Sequence, residues 1–300
     1  MVGLSALPTF LVIGRAKCGT SALHEYLAGH PEIQMSRPKE LRFFLADPDP
    51  GLIPREPRRR RMLDSPGNWG RGVEWYGSHF DPRFGIRGES TPGYTALRFP
   101  GTAERIASVI PDVRLVLCVR DPVERALSSY RSARVFGNEP RPVAEALTPG
   151  SSYASGYAAS VAPYLDRFPR ERLLIVQAER LDAARRDTLA EVFAFLGAEP
   201  GFWSDEYDRR WNVTAAQQHG AWRVLTTLRR SRWGRIADRL PTGALRPLQR
   251  AQARTAAAPR SGPGPDPGAD AVPRDFVEEL RADAERFRAI VGLELPGWSV

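Results

Sequence analysis

The sequence predicts an α/β fold in three layers, a central parallel sheet flanked by helices, and three observations predict it. An apolar run at 10–13 ends in a glycine-bearing loop and then a helical pattern. A second run, 115–119, stops at Arg120 and enters a helix at Pro122. A third, 173–178, leads to a helix over 188–196 closed by Gly197. Strand and helix alternating in this way give parallel strands with right-handed crossovers, and ligands at the strands' carboxyl ends.

The 300 residues, 42% hydrophobic, suffice for one large domain over 1–300, with a basic, helical and loop-rich segment at about 205–272. A net charge of +8 and a pI near 10.0 suit an anionic partner without choosing one. Of 43 basic residues only Lys17 and Lys39 are lysines. A compact ammonium that can give up a proton differs chemically from a guanidinium fork. Two cysteines make no disulfide framework, and neither a secretory leader nor a long apolar run is apparent. The expected setting is therefore a reducing cytoplasm, with no stable membrane insertion.

In chain order, the first strand meets the loop Gly14-Arg15-Ala16-Lys17-Cys18-Gly19-Thr20, followed by Ser21 and a helix over 21–28. Such a loop points backbone N–H groups at an anion, aided by the helix dipole. A strand-to-helix turn with no ligand is the plainer alternative. Gly14 and Gly19 match the glycines of the nucleoside-triphosphatase loop, but Gly19 stands where that loop requires lysine. Lys17 lies inside the loop instead, nearer a 5′-phosphate than the outer phosphates.

After a short run at 33–35 comes Lys39-Glu40 and then Phe43-Phe44. A carboxylate beside apolar walls suits a general base for a hydroxyl nucleophile, whereas a surface ion pair is the bland reading and, on the residues alone, the preferred one. The stretch 47–72 is Pro-, Gly- and Arg-rich, with four arginines at 58–61, and reads as a solvated loop or an acceptor-side basic patch. Trp75, Tyr76 and Phe80 read as core or cleft wall. Residues 85–94 form a strand running into a turn at Pro92.

The next strand stops at Arg120, Asp121 caps the following helix, Pro122 sits in its first turn, and Ser128 follows. An arginine at a strand's carboxyl end with a nearby hydroxyl makes a phosphate clamp. Arg125 and Tyr130 read as structural braces. A helix over 155–168 is interrupted near Pro163. The stretch 211–248 carries amphipathic spacing with many arginines, 254–273 reads as a loop, and a closing helix runs over 276–291.

These motifs together resemble the sulfotransferases that use 3′-phosphoadenosine 5′-phosphosulfate (PAPS), in particular those of heparan sulfate and of bacterial carbohydrates and natural products. The similarity rests on Gly-x-x-Lys-x-Gly-Thr, on Lys-Glu-x-x-Phe-Phe, on Glu-x-Thr-Pro-x-Tyr at 89–94 and on Arg-Asp-Pro-x-x-Arg-Ala-x-Ser-x-Tyr from Arg120. It implies a P-loop-like fold and sulfuryl transfer to an acceptor hydroxyl, with 3′-phosphoadenosine 5′-phosphate (PAP) as product and no metal. It further implies catalytic roles for Lys17 and Glu40. Donor contacts would come from Arg15, Ala16, Lys17, Cys18, Gly19, Thr20 and Ser21, and 3′-phosphate contacts from Arg120 and Ser128. Arg254 and Arg260 are weaker candidates for closing over the nucleotide. Where the family often has Lys, Ser90 stands here, so a positive contact is expected at Arg87 or Arg98 instead. Leu41 and Arg42 replace a common Pro and His.

A small natural product or carbohydrate is the expected acceptor, and nucleic acid is not. The oligomeric state is not readable. Two alternatives stay open at this level: a P-loop kinase or triphosphatase, which lacks its Gly-Lys-Ser/Thr here, and a non-catalytic polyanion-binding protein, suggested by charge alone.

Overall fold

The computed structural model describes residues 7–53, 66–135, 138–154, 156–208 and 271–300. The arginines at 58–61, nearly all of the basic segment expected at 205–272, and Arg254 and Arg260 lie outside them.

In chain order the elements are β1 (Phe10–Gly14), α1 (Thr20–Ala28), β2 (Ile33–Met35), α2 (Gly72–Gly77), β3 (Ile86–Ser90), α3 (Thr102–Val109), β4 (Arg114–Val119), α4 (Pro122–Val135), α5 (Val143–Ala146), α6 (Tyr157–Leu165), β5 (Leu173–Gln177), α7 (Ala178–Ala183), α8 (Arg185–Leu196) and α9 (Arg274–Val291). The five strands form one sheet in the order β2-β3-β1-β4-β5, and every neighbouring pair is parallel. β1 sits at the centre, with Leu11 opposite Glu89 on one side and Leu115 on the other. Its residues are fully buried because helices cover both faces of a parallel sheet.

Helix limits differ from expectation in small ways. Pro163 lies inside α6 without ending it. The stretch after β5 forms two helices, α7 and α8, rather than one. The apolar core joins β1, β4 and β5 to Leu23, Leu27, Phe43, Phe44 and Tyr76. A second cluster packs α4 against α9 through Leu127, Phe276 and Leu280.

Two glycines position the loop after β1. A Cβ on Gly14 would lie 2.1 Å from Thr95 Oγ1, so only glycine lets the 3-10 turn Pro92–Thr95 approach the strand end. Gly19 caps α1 at φ 81°, a left-handed conformation that glycine adopts without strain.

Candidate active site

The loop 15–19 leaves the carboxyl end of β1 and delivers the backbone to α1 with its N–H groups open. α1 begins without a side-chain cap and without an acid in its first turn. The N–H groups of Gly19, Thr20, Ser21 and Ala22 find no acceptor among the described residues. Orphan donors at a helix N-terminus form an anion site, favoured further by the helix dipole.

The side chains of the loop divide between that site and the scaffold. Arg15 turns inward: its guanidinium donates to the Thr95 carbonyl at 3.0 Å and to Ser160 Oγ at 2.8 Å, and lies over the Tyr157 ring. Burial, with Arg125 close by, lowers its proton affinity to a pKa of about 10. Its N–H is held by the Cys118 carbonyl at 2.7 Å. Cys18 is also buried, with its thiol 3.3 Å from the Tyr157 hydroxyl and its N–H on the Arg15 carbonyl. Arg15 and Cys18 therefore brace the loop, and Gly19, Thr20 and Ser21 offer backbone donors.

Lys17, at φ 71°, extends from the loop and donates to Ser132 Oγ at 2.7 Å. Burial lowers the proton affinity of its ammonium, and the Glu40 carboxylate opposes that effect. Ser132 stands four residues after Ser128 and eight after Glu124 on α4, so Glu124, Ser128 and Ser132 line one helical face. Arg120 joins that face from the end of β4, pairing with Glu124 at 3.1 Å. At 1.5 Å of rise per residue, Ser128 and Ser132 are separated by roughly 6 Å along the axis. The sequence reading missed Ser132, although its four-residue spacing from Ser128 was visible.

The backbone of Arg120 is held as well as its side chain. Its N–H donates to the Tyr157 hydroxyl at 3.1 Å, and that hydroxyl donates to the Arg120 carbonyl at 2.9 Å. Asp121 caps α4 by accepting the Glu124 N–H at 2.9 Å, as its sequence position predicts, and it also accepts the Ser299 hydroxyl at 2.8 Å. Arg125 and Tyr130 brace the helix against the carbonyls of Tyr153 and Arg141.

Glu40 lies across from Lys17 on the loop that follows β2. Phe43 and Phe44 are fully buried, with Phe43 stacked on Tyr76 at 4.2 Å between centroids, but the Glu40 carboxylate is half-exposed. Its partner is Lys39, whose ammonium bridges Glu40 Oε1 at 3.0 Å and Ser21 Oγ at 2.9 Å. The surface ion pair expected from the residues alone is thus present.

Arg87 does not fill the place that Ser90 vacates. It is buried three residues earlier on β3, with its Nε on the Leu7 carbonyl at 3.0 Å. Arg98 lies over the Phe99 ring. Lys39 is the cation found beside Glu40. Ser90 instead contacts His24 Nδ1 at 3.0 Å, and burial, aided by Lys39 and Arg37, pushes the His24 imidazole down to about 3, keeping it neutral.

A family model described as "Sulfotransferase family" matches residues 8–205. The membrane-associated sulfotransferase kil1 of Dictyostelium discoideum is 34% identical over 132 residues, 42% of this chain and 23% of the relative. The human heparan sulfate glucosamine 3-O-sulfotransferase 3B1 is 31% identical over 208 residues, 65% of this chain and 47% of the relative. The chain thus spans less than half the length of these curated relatives. Among solved structures, a sulfotransferase from Alicyclobacillus acidocaldarius superposes with a TM-score of 0.61 at 22% identity, covering 98% of this chain and 99% of the other. That likeness concerns the fold.

Proposed function

This chain belongs to the sulfotransferase family, and we propose that it transfers a sulfuryl group from PAPS to an acceptor hydroxyl on a small natural product or carbohydrate. The observation that carries the reading is the position of Lys17. It lies between the open N–H groups of α1 and the Arg120–Ser128–Ser132 face of α4, within electrostatic reach of Glu40. These residues fit a ligand with two phosphate positions.

PAPS, when bound, supplies the sulfuryl group and a phosphate oxygen as leaving group. The open backbone donors of residues 19–22 hold the 5′-phosphate. Arg120 and Ser128 hold the 3′-phosphate, for which Arg120 must release Glu124, a half-exposed pair that contributes little. Glu40 takes the proton of the acceptor hydroxyl as its oxygen attacks sulfur in line. Lys17 leaves Ser132 for the oxygen on which negative charge develops, where a preorganised cation lowers the barrier most. Lys39 keeps the Glu40 carboxylate directed into the cleft. A cytoplasmic setting belongs to the same proposal; among the described residues no helix is long and apolar enough to cross a membrane.

Calorimetric titration with PAP tests the reading. Wild-type protein should bind it, and Arg120→Ala should weaken binding by roughly 10- to 100-fold, as expected for losing hydrogen bonds from a charged group. No binding at millimolar PAP, or equal binding by the variant, removes the donor assignment.

A further inference from the structure

Glu89 is a fully buried carboxylate at the end of β3, the strand beside β1. Three side-chain hydroxyls donate to it: Tyr76 at 2.9 Å, Thr91 at 3.1 Å and Tyr94. Burial raises its proton affinity to a pKa of about 7, against the pull of those donors and of the Leu41 N–H. A buried carboxylate is costly where an amide of equal volume would fill the same space.

The use of that charge lies in what the donating hydroxyls do with their lone pairs. Because Thr91 points its hydrogen at Glu89, its oxygen is free to accept the Arg42 N–H at 3.2 Å. Because Tyr94 points its hydrogen at Glu89, its oxygen faces the Phe44 N–H at 3.4 Å. The Glu40 N–H is held by the Ser90 carbonyl at 3.1 Å. Alternate N–H groups from Glu40 to Phe44 are therefore seated on 90, 91 and 94, two of them through hydroxyls that Glu89 orients. The seated segment is under local strain, since Glu40 and Arg42 both have left-handed backbones, at φ 63° and 54°.

We infer that Glu89 is a positioning residue for the reaction: it orients Thr91 and Tyr94 so that they hold the strained turn aiming Glu40 into the cleft. This rests on the reading of Glu40 as the group that takes the acceptor proton. Glutamine at 89 keeps the volume but presents an N–H₂ donor where a carboxylate oxygen stood. The hydroxyl facing it must then accept, turning its own hydrogen toward a backbone N–H that also donates.

The test compares wild type, Glu89→Gln and Thr91→Val using PAPS alone, with water as acceptor. In that reaction the water oxygen bonds to sulfur, the bond to the bridging phosphate oxygen breaks, PAP and sulfate leave, and the water proton passes to Glu40. Glu89→Gln should lower kcat by about 10- to 100-fold, the effect of a misplaced reacting group. KM for PAPS and PAP affinity should be unchanged, and amide hydrogen exchange should accelerate in 39–45 and not in 15–28. Thr91→Val should show a smaller loss with the same pattern, which keeps the inference testable if Glu89→Gln does not fold. An unchanged kcat, unchanged exchange in 39–45, or a loss expressed in KM or PAP affinity would overturn it. A wild type that neither binds PAP nor consumes PAPS would remove the transfer reading instead, and the exchange comparison would still judge the hold of Glu89 on the turn.

Discussion

Lys17 and Glu40 lie within electrostatic reach of each other, and under the proposed mechanism their substitutions should separate the two halves of the chemistry. Lys17→Ala removes a cation placed where charge develops, and turnover should fall by ~100-fold or more. Glu40→Gln removes a base without touching the donor loop, and its loss of ~100- to 10,000-fold should come with unchanged PAP affinity. Single-turnover rates beside PAP titrations measure both, and retained turnover in Glu40→Gln would eliminate it as the base. Lys17 is singled out in the sequence by its place inside a glycine loop, whereas for Glu40 the residues alone favour the ion pair that the structure shows with Lys39, and its assigned role rests on the family resemblance. The Lys39 contact with Ser21 was not readable, because it joins residues 18 apart that only the folding of β2 against α1 brings together.

At the scale of elements, the loop after β1 is braced from three directions. Thr95 presses on Gly14, Arg15 reaches Thr95 and Ser160, and Cys18 meets Tyr157. Tyr157 also grips the Arg120 backbone, so one phenol links the loop to the end of β4. Gly14→Ala forces a methyl into Thr95 and should destabilise the protein by about 1–3 kcal/mol, as overpacking does. Urea unfolding would register the loss, and Thr95→Ala in the same chain should recover part of it; independent, additive effects would argue against the contact. The strand and helix pattern announced β1, β4, β5 and α4. It did not announce the split of the stretch after β5 into α7 and α8, which falls at Ala184, whose backbone at φ −129° and ψ 54° leaves the helical region.

For the whole molecule, the buried Glu89 gives stability a pH dependence with a definite sign. Its folded pKa of about 7 lies above the ordinary carboxyl value, so the folded state binds more protons between the two. Its contribution to stability is therefore greatest at low pH and falls as pH rises from roughly 4.5 to 7, by on the order of 3 kcal/mol. Glu89→Gln carries no such titration. The stability of the variant relative to wild type, from urea unfolding, should rise between pH 5 and pH 8, and a flat or falling difference would contradict the buried-charge account. A charge retained at that cost fits its proposed place in holding the turn at 40–44.

By itself the sequence determined the α/β class, the strand–glycine loop–helix unit at 10–28 and the strand and capped helix around Arg120, because each is encoded in neighbours along the chain: a β-branched run, a glycine at a turn, a cap, a helical repeat. The tertiary structure alone decided that Arg15 and Cys18 brace rather than face the open donors, that Lys17 rests on Ser132, that Arg87 is buried away from Ser90, and that Tyr76, Thr91 and Tyr94 converge on Glu89. Each of these is a hydrogen bond or burial between residues far apart in sequence. Side-chain type names the available donors and acceptors, but only the packed sheet sets which ones meet.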